Sequence, residues 1–271
     1  MKVYIKRTIR KVGRYYRMHT SCMRMLPDFI IIGTQKGGTT FLFELLSIHP
    51  HVRPSFRKEI EYFDINFKNG IDWYKSHFLI KKGNIITGES TPHYMSHPHV
   101  PKRISEVIPY AKIITILRNP VDRAYSHYQH NVRMKRESLT FNDAIAMESE
   151  RLQGEVDKMI SDEHYNSLKH RHFSYLLKGI YVDQLIAFAK FFDKTQILVL
   201  QSEDLFNNTI TVYEKVLNFL NLPQWKPIDI RPVHVGGYSE IIDATTRGQL
   251  SDYFKLHNQR LYNYLGVDFG W

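Results

Sequence analysis

Pro27-Asp28-Phe29-Ile30-Ile31-Ile32-Gly33-Thr34-Gln35-Lys36-Gly37-Gly38-Thr39-Thr40 reads as a buried strand that turns through a glycine-rich loop into a helix. Phe29 to Ile32 suit a strand covered on both faces. Gly37 and Gly38 allow the loop to curl around a ligand, and Thr39 to Leu46 carry apolar residues at helical spacing. The first amides of such a helix have no partner within it. With the helix dipole behind them they form a cradle for phosphate oxygens. The loop departs from an ordinary P-loop, which has Gly, four residues, Gly, Lys and then Ser or Thr. Counted from Gly33, Gly38 is in register, but Thr39 stands where the lysine belongs. The loop's lysine is Lys36, placed to stand over the cradled group, while Thr39 and Thr40 add hydroxyl donors. By itself the segment is also compatible with a glycine turn of purely structural use.

A second strand, Ala111 to Leu117, runs directly into Arg118-Asn119-Pro120-Val121-Asp122-Arg123-Ala124-Tyr125-Ser126. Pro120 suits a first helical turn and Ser126 lies two turns along. Arg118 and Ser126 can therefore converge on one anion at the carboxyl edge of a sheet. The planar fork of arginine suits a terminal phosphate.

Together these segments resemble the two cofactor motifs of sulfotransferases that use 3′-phosphoadenosine 5′-phosphosulfate (PAPS), most closely those acting on heparan sulfate and bacterial carbohydrates. The resemblance runs from Pro27 to Trp271. It implies that Lys36, Gly37, Gly38, Thr39 and Thr40 hold the 5′-phosphosulfate and that Arg118 and Ser126 hold the 3′-phosphate. A third match, Arg57-Lys58-Glu59-Ile60-Glu61-Tyr62-Phe63-Asp64, resembles the family's Lys-Glu segment and implies that Glu59 is the base that deprotonates the acceptor. Taken from the residues alone, Glu59 reads more simply as an exposed carboxylate paired with Arg57 or Lys58, and nearby cations and burial would move its pKa in opposite directions. Glu61 and Asp64 are weaker candidates that miss the family's position.

Ile85 to Tyr94 is similar to the family's Gly-Glu-x-Thr-Pro-x-Tyr strand and turn, with Ser90 where many relatives carry lysine. His93 matches no histidine-base motif. Beyond Pro223, relatives often close a basic glycine loop over PAPS. Here His234-Val235-Gly236-Gly237-Tyr238 lacks a cation, and Tyr238 is the residue expected to pack near the nucleotide.

The 271 residues, 43% hydrophobic, suffice for one α/β domain. Strand-like runs at Phe29 to Ile32, Ile85 to Thr87, Ile113 to Leu117 and Ile197 to Leu200 alternate with helical patterns. They predict a mainly parallel central sheet flanked by helices, the P-loop-like architecture that the resemblance also implies. Glu137 to His172 is polar and predicts helices and a loop, either over an acceptor cleft or as a plain solvated insertion. Gly179 to Phe192 predicts a helix, Ser202 to Leu205 a turn, and Leu250, Phe254, Leu261 and Leu265 a terminal helix packed on the core.

The net charge of +10 is concentrated at the start: residues 1–26 hold eight of the 37 Lys and Arg and no acid, leaving 29 basic against 27 acidic residues in the 27–271 body. Ile5, Ile9, Val12 and Tyr16 follow helical spacing. The segment is either an amphipathic arm for an anionic membrane or acidic polymer, or a disordered basic tail. No signal peptide or transmembrane run is evident. Cys22, the sole cysteine, forms no internal disulfide, and a cytoplasmic enzyme, peripheral at the membrane, is expected. No cluster of side chains has metal-ligand spacing.

These features predict a PAPS-dependent sulfotransferase that modifies a hydroxyl, less readily an amine, of a carbohydrate or glycolipid without a metal. A P-loop small-molecule kinase would need its lysine after Gly38. A nucleic-acid-binding protein would explain the basic arm but not two converging phosphate sites, and the body has little spare positive charge, so nucleic acid is not an expected partner.

Overall fold

The computed structural model describes residues 13, 15–227 and 242–271. In β1 (Phe29–Gly33), Phe29 to Ile32 have no exposed surface, as a strand covered on both faces requires. It leads into α1 (Thr39–Ser47). There follow β2 (Gly88–Ser90), α2 (Val100–Val107), β3 (Lys112–Leu117) and α3 (Pro120–Arg133). The chain continues through α4 (Tyr181–Ala189), β4 (Ile197–Gln201), α5 (Ser202–Asn207), α6 (Thr209–Phe219) and α7 (Ala244–Leu265). The four strands are all parallel, in the order β2-β1-β3-β4.

Alternation along the strands divides the core. Ile30, Ile32 and Ile113 pack with Val100 and Ile104 of α2, Leu185 and Phe188 of α4, and Leu261 of α7. Phe29, Ile31, Ile114 and Ile116 pack on the other face with Phe41, Leu42 and Leu45 of α1 and with Tyr213 and Val216 of α6. Gly88 is a close-approach glycine, because a Cβ there would fall inside the ring of Phe29 on the neighbouring strand. The strand order places the site. From β1 the chain goes outward to β2, then returns past β1 to β3, so the loops leaving β1 and β3 flank a topological switch point at the carboxyl edge.

Three local expectations shift. The strand predicted over Ile85 to Thr87 forms at Gly88–Ser90. The Asp28 carboxylate takes the Thr87 amide at 2.7 Å, and Ile86 forms only an isolated bridge with Val52. Ser202 to Leu205 begins α5 instead of a turn. The helix expected through Phe192 ends at Ala189. The polar stretch 137–172 folds into short helices at Phe141–Ala146, Glu148–Leu152, Glu155–Ser161 and Leu168–Phe173. α7 buries Leu250, Phe254 and Leu261 as its spacing predicts.

Residues 15–19 are helical, and the end of the basic segment lies on the body. Arg17 Nε donates to the Ser76 carbonyl at 2.9 Å and Arg24 Nη1 to that of Phe78 at 2.7 Å. Tyr16, from the apolar stripe, is exposed, while Ile5, Ile9 and Val12 fall outside the described residues. Among the described residues no helix is long and apolar enough to cross a membrane.

Candidate active site

The crevice at the switch point opens into a cavity of about 1040 Å³. Gln35, Lys36, Gly38, Thr39 and Thr40 from the β1 loop line one side, and Arg118, Asp122 and Ser126 from the β3 end line another. The two strand ends read from the sequence therefore meet across one space.

At the β1 loop, Gly38 caps α1 with φ 103° and no side chain caps the helix start. The opening amides of α1 have no intrahelical acceptor, which leaves them for an anion. Gly37 is fixed by packing. It is absent from the cavity wall, and its amide donates to the Thr34 carbonyl at 3.0 Å. A Cβ on it would overlap the Ile116 carbonyl, so glycine is required by close packing on β3. Lys36 adopts φ 75°, a left-handed conformation that costs a non-glycine residue about 1–2 kcal/mol. Burial, reinforced by Arg133 and Arg118, lowers its ammonium pKa to about 8, with Glu59 acting in the opposite direction. Lys36 is thus charged at neutral pH and close to losing its proton above it.

At the β3 end, the Asn119 side chain accepts from the amides of Val121 and Asp122, fixing the start of α3, and Pro120 occupies its first turn. Arg118 Nη1 donates to the Lys36 carbonyl at 3.3 Å, joining the β1 loop and the β3 end directly. The Tyr181 hydroxyl donates to the Arg118 carbonyl at 2.8 Å and ties this turn to α4. Ser126 is fully buried on α3 behind the cavity wall it helps to form.

Glu59 and Lys58 also line the cavity. Lys58 Nζ lies 2.6 Å from Glu59 Oε1, so the pairing anticipated for a surface carboxylate occurs inside the site. Glu59 adopts φ 58°, and its amide donates to the Ser90 carbonyl at 3.0 Å. The competing carboxylates are occupied by Arg171, which pairs with Glu61 and, at 3.3 Å, with Asp64. Burial raises the Asp64 carboxyl to about 6 against the pull of Arg171. Tyr238 lies outside the described residues.

Residues 26–231 match the family model described as a sulfotransferase domain. The chain belongs to the sulfotransferase family. It is 28% identical over 91% of its length to the membrane-associated sulfotransferase kil1 of Dictyostelium discoideum, spanning 66% of that protein. It is 33% identical over 73% of its length to the human bifunctional heparan sulfate N-deacetylase/N-sulfotransferase 2, of which it spans only 22%. A sulfotransferase structure from Alicyclobacillus acidocaldarius superposes with a TM-score of 0.73 at 28% identity, covering 90% of this chain and 98% of that one.

The sulfotransferase cavity has a basic wall that motif reading did not find. Asp122, Ser126, His130 and Arg133 share one face of α3, and Arg136, Arg171 and His172 complete the wall. The spacing from Ser126 to His130 to Arg133 was visible as one helical face. Arg171 and His172 come from the helix Leu168–Phe173, and no local signal linked them to the loop at Glu61. Burial, followed by Lys36 and Arg133, lowers the His130 imidazole, and burial with Arg136 and Arg171 lowers that of His172 to about 4. His93 also faces the cavity, and burial beside Lys178 and Arg171 holds its pKa well below the ordinary range. These rings are neutral at pH 7 and can offer both a donor and an acceptor. No group of His, Cys, Asp or Glu among the described residues has the arrangement of a metal site.

Proposed function

We propose that the chain transfers the sulfuryl group of PAPS to a carbohydrate or glycolipid hydroxyl, or less readily to an amine, with Glu59 as the base. The observation that carries this reading is that Lys36, Arg118, Ser126 and the Lys58–Glu59 pair line one cavity. The α1 amides with Lys36, Thr39 and Thr40 bind the 5′ end of the nucleotide, and Arg118 with Ser126 binds its 3′-phosphate.

The acceptor oxygen attacks sulfur in line with the departing phosphate oxygen. A new S–O bond forms, the S–O bond to the 5′-phosphate breaks, and its electron pair leaves with adenosine 3′,5′-bisphosphate. Glu59 takes the acceptor proton, and Lys36 offsets the charge growing on the leaving phosphate. Positioning and electrostatics supply most of the rate, as in phosphoryl transfer. The name of the heparan sulfate relative supports a glycan acceptor, and the basic wall suits a substrate that already carries negative charge. Peripheral membrane contact through the basic arm of a cytoplasmic enzyme is part of the same reading.

Labelled PAPS offered with heparan sulfate, N-desulfated heparan sulfate and sugar-bearing lipids tests it. Label should pass to a glycan with wild-type protein and fall by about 100-fold or more with Glu59→Gln, which still binds the nucleotide. Undiminished transfer by Glu59→Gln would remove Glu59 as the base.

A further inference from the structure

Glu89 is a carboxylate with no exposed surface, on the short strand β2 beside the loop that carries Glu59. Nothing in the transfer chemistry uses it, yet it receives three hydroxyl hydrogen bonds. Tyr74 donates to Oε1 at 2.5 Å and Tyr94 to the same oxygen at 3.2 Å, while Thr91 donates to Oε2 at 2.8 Å. Two of these hydroxyls also reach the loop at residues 59–63. The Tyr94 oxygen accepts from the amides of Tyr62 at 2.8 Å and Phe63 at 3.2 Å, and the Thr91 oxygen accepts from the amide of Glu61 at 3.5 Å.

The loop needs such support. Glu59 and Glu61 both adopt left-handed conformations, with φ 58° and 59°, which L residues hold only where their surroundings fix them. The amide of Glu59 bonds the Ser90 carbonyl, while those of Glu61, Tyr62 and Phe63 point inward to side-chain oxygens, which are free to accept because their own protons are directed to Glu89. Tyr62 and Tyr74 stack with centroids 4.3 Å apart, closing the apolar side of the same arrangement.

We propose that Glu89 is a positioning residue: acting through Tyr94 and Thr91, it orients the 59–63 loop and so aims the Glu59 carboxylate into the cavity. This inference rests on Glu59 being the base. Three hydroxyls aimed at one carboxylate suit its ionised form, which only accepts. Burial opposes that form and raises the Glu89 carboxyl to about 7, while the three donors pull it down. The arrangement explains why a costly buried acid occupies β2: removing it leaves three hydroxyl protons without their acceptor, and the two hydroxyls that hold the loop, those of Tyr94 and Thr91, lose the partner that orients them.

The test follows release of adenosine 3′,5′-bisphosphate from PAPS, with the glycan panel and with water as acceptors. Its variants are Glu89→Ala, Tyr94→Phe, Glu89→Gln, Glu59→Gln and the double variant Glu59→Gln/Glu89→Ala. Misplacing a base by about 1 Å costs on the order of 100-fold. Glu89→Ala and Tyr94→Phe should therefore lower kcat by about 10- to 100-fold, with bisphosphate affinity and the KM for PAPS unchanged. Glu89→Gln, which keeps an acceptor oxygen, should recover part of the loss. In the Glu59→Gln background Glu89→Ala should cost nothing further, because a residue acting only through the base has nothing left to aim. Amide exchange at Tyr62 and Phe63 should accelerate in Tyr94→Phe, which also serves if Glu89→Ala does not fold. Full kcat in Glu89→Ala and Tyr94→Phe beside an inactive Glu59→Gln would overturn the positioning role alone. So would losses that multiply in the double variant. A fully active Glu59→Gln would instead overturn the base assignment, and the inference with it.

Discussion

Nucleotide binding should draw a proton onto Lys36. In the free protein burial and the guanidinium groups of Arg133 and Arg118 lower this ammonium to about 8. A bound phosphate dianion reverses the balance by favouring the charged form. At pH 8.5 a group with this pKa is about one quarter protonated, and restoring its ordinary value near 10.4 makes it almost fully so, an uptake of about 0.7 proton per nucleotide. At pH 7 the same arithmetic gives only about 0.1 proton. The cavity histidines do not blur the result. The pKa values of His93 and His130 are lowered and that of His172 is near 4, so all three are neutral at pH 8.5. Phosphate monoesters, with a second pKa of about 6, are fully ionised there, and arginine stays charged. Calorimetry of adenosine 3′,5′-bisphosphate binding in buffers of different ionisation enthalpy measures the uptake directly. The wild type should show a large buffer dependence at pH 8.5 that Lys36→Met abolishes. An equal uptake in Lys36→Met, or none in the wild type, would refute the placement of Lys36 against the nucleotide.

Other perturbations separate the roles of neighbouring residues. Gly37→Ala should cost on the order of 1–3 kcal/mol in stability, read from denaturant unfolding, because its Cβ would overlap the Ile116 carbonyl and lie 2.9 Å from Thr34 Cγ2. Arg118→Lys keeps the charge but loses the fork, so bisphosphate affinity should fall by about tenfold or more in a titration, while adenosine 5′-phosphate, lacking the 3′ group, loses little. Arg171→Ala leaves buried Asp64 without its cation and Glu61 with only the longer contact to Arg57 at 3.9 Å, and should destabilise the fold by about 3 kcal/mol. That loss should shrink as pH falls towards about 6, the wild-type value, because without the pull of Arg171 the Asp64 carboxyl takes up its proton at a higher pH and no longer needs a partner.

The two strand-turn-helix units were legible because each is local: an apolar run, a glycine or Asn-Pro turn and a helical period within a short window. β1 and β3 appear where those runs are, and the switch point between them follows from strand order. β2 moved by three residues because its pairing is decided by Asp28, which captures the Thr87 amide across the sheet. The chemistry was less legible where it depends on distant partners. Nothing near Glu61 or Asp64 reveals that Arg171 neutralises both. The need for glycine at position 37, set by the Ile116 carbonyl of β3, is likewise absent from the local pattern. The face shared by Ser126, His130 and Arg133 was present in the sequence as helical spacing, and it gained meaning only once α3 was known to border the cavity.

The proposed function requires the β1 loop and the β3 end to grip opposite ends of one nucleotide. A crystal structure with adenosine 3′,5′-bisphosphate tests it most directly. The 5′-phosphate should lie against Lys36 and the first amides of α1, and the 3′-phosphate against Arg118 and Ser126, with Glu59 facing the open side of the 5′-phosphate. A nucleotide bound outside this crevice, or with its two phosphates exchanged, would rule out these roles for the two strand ends.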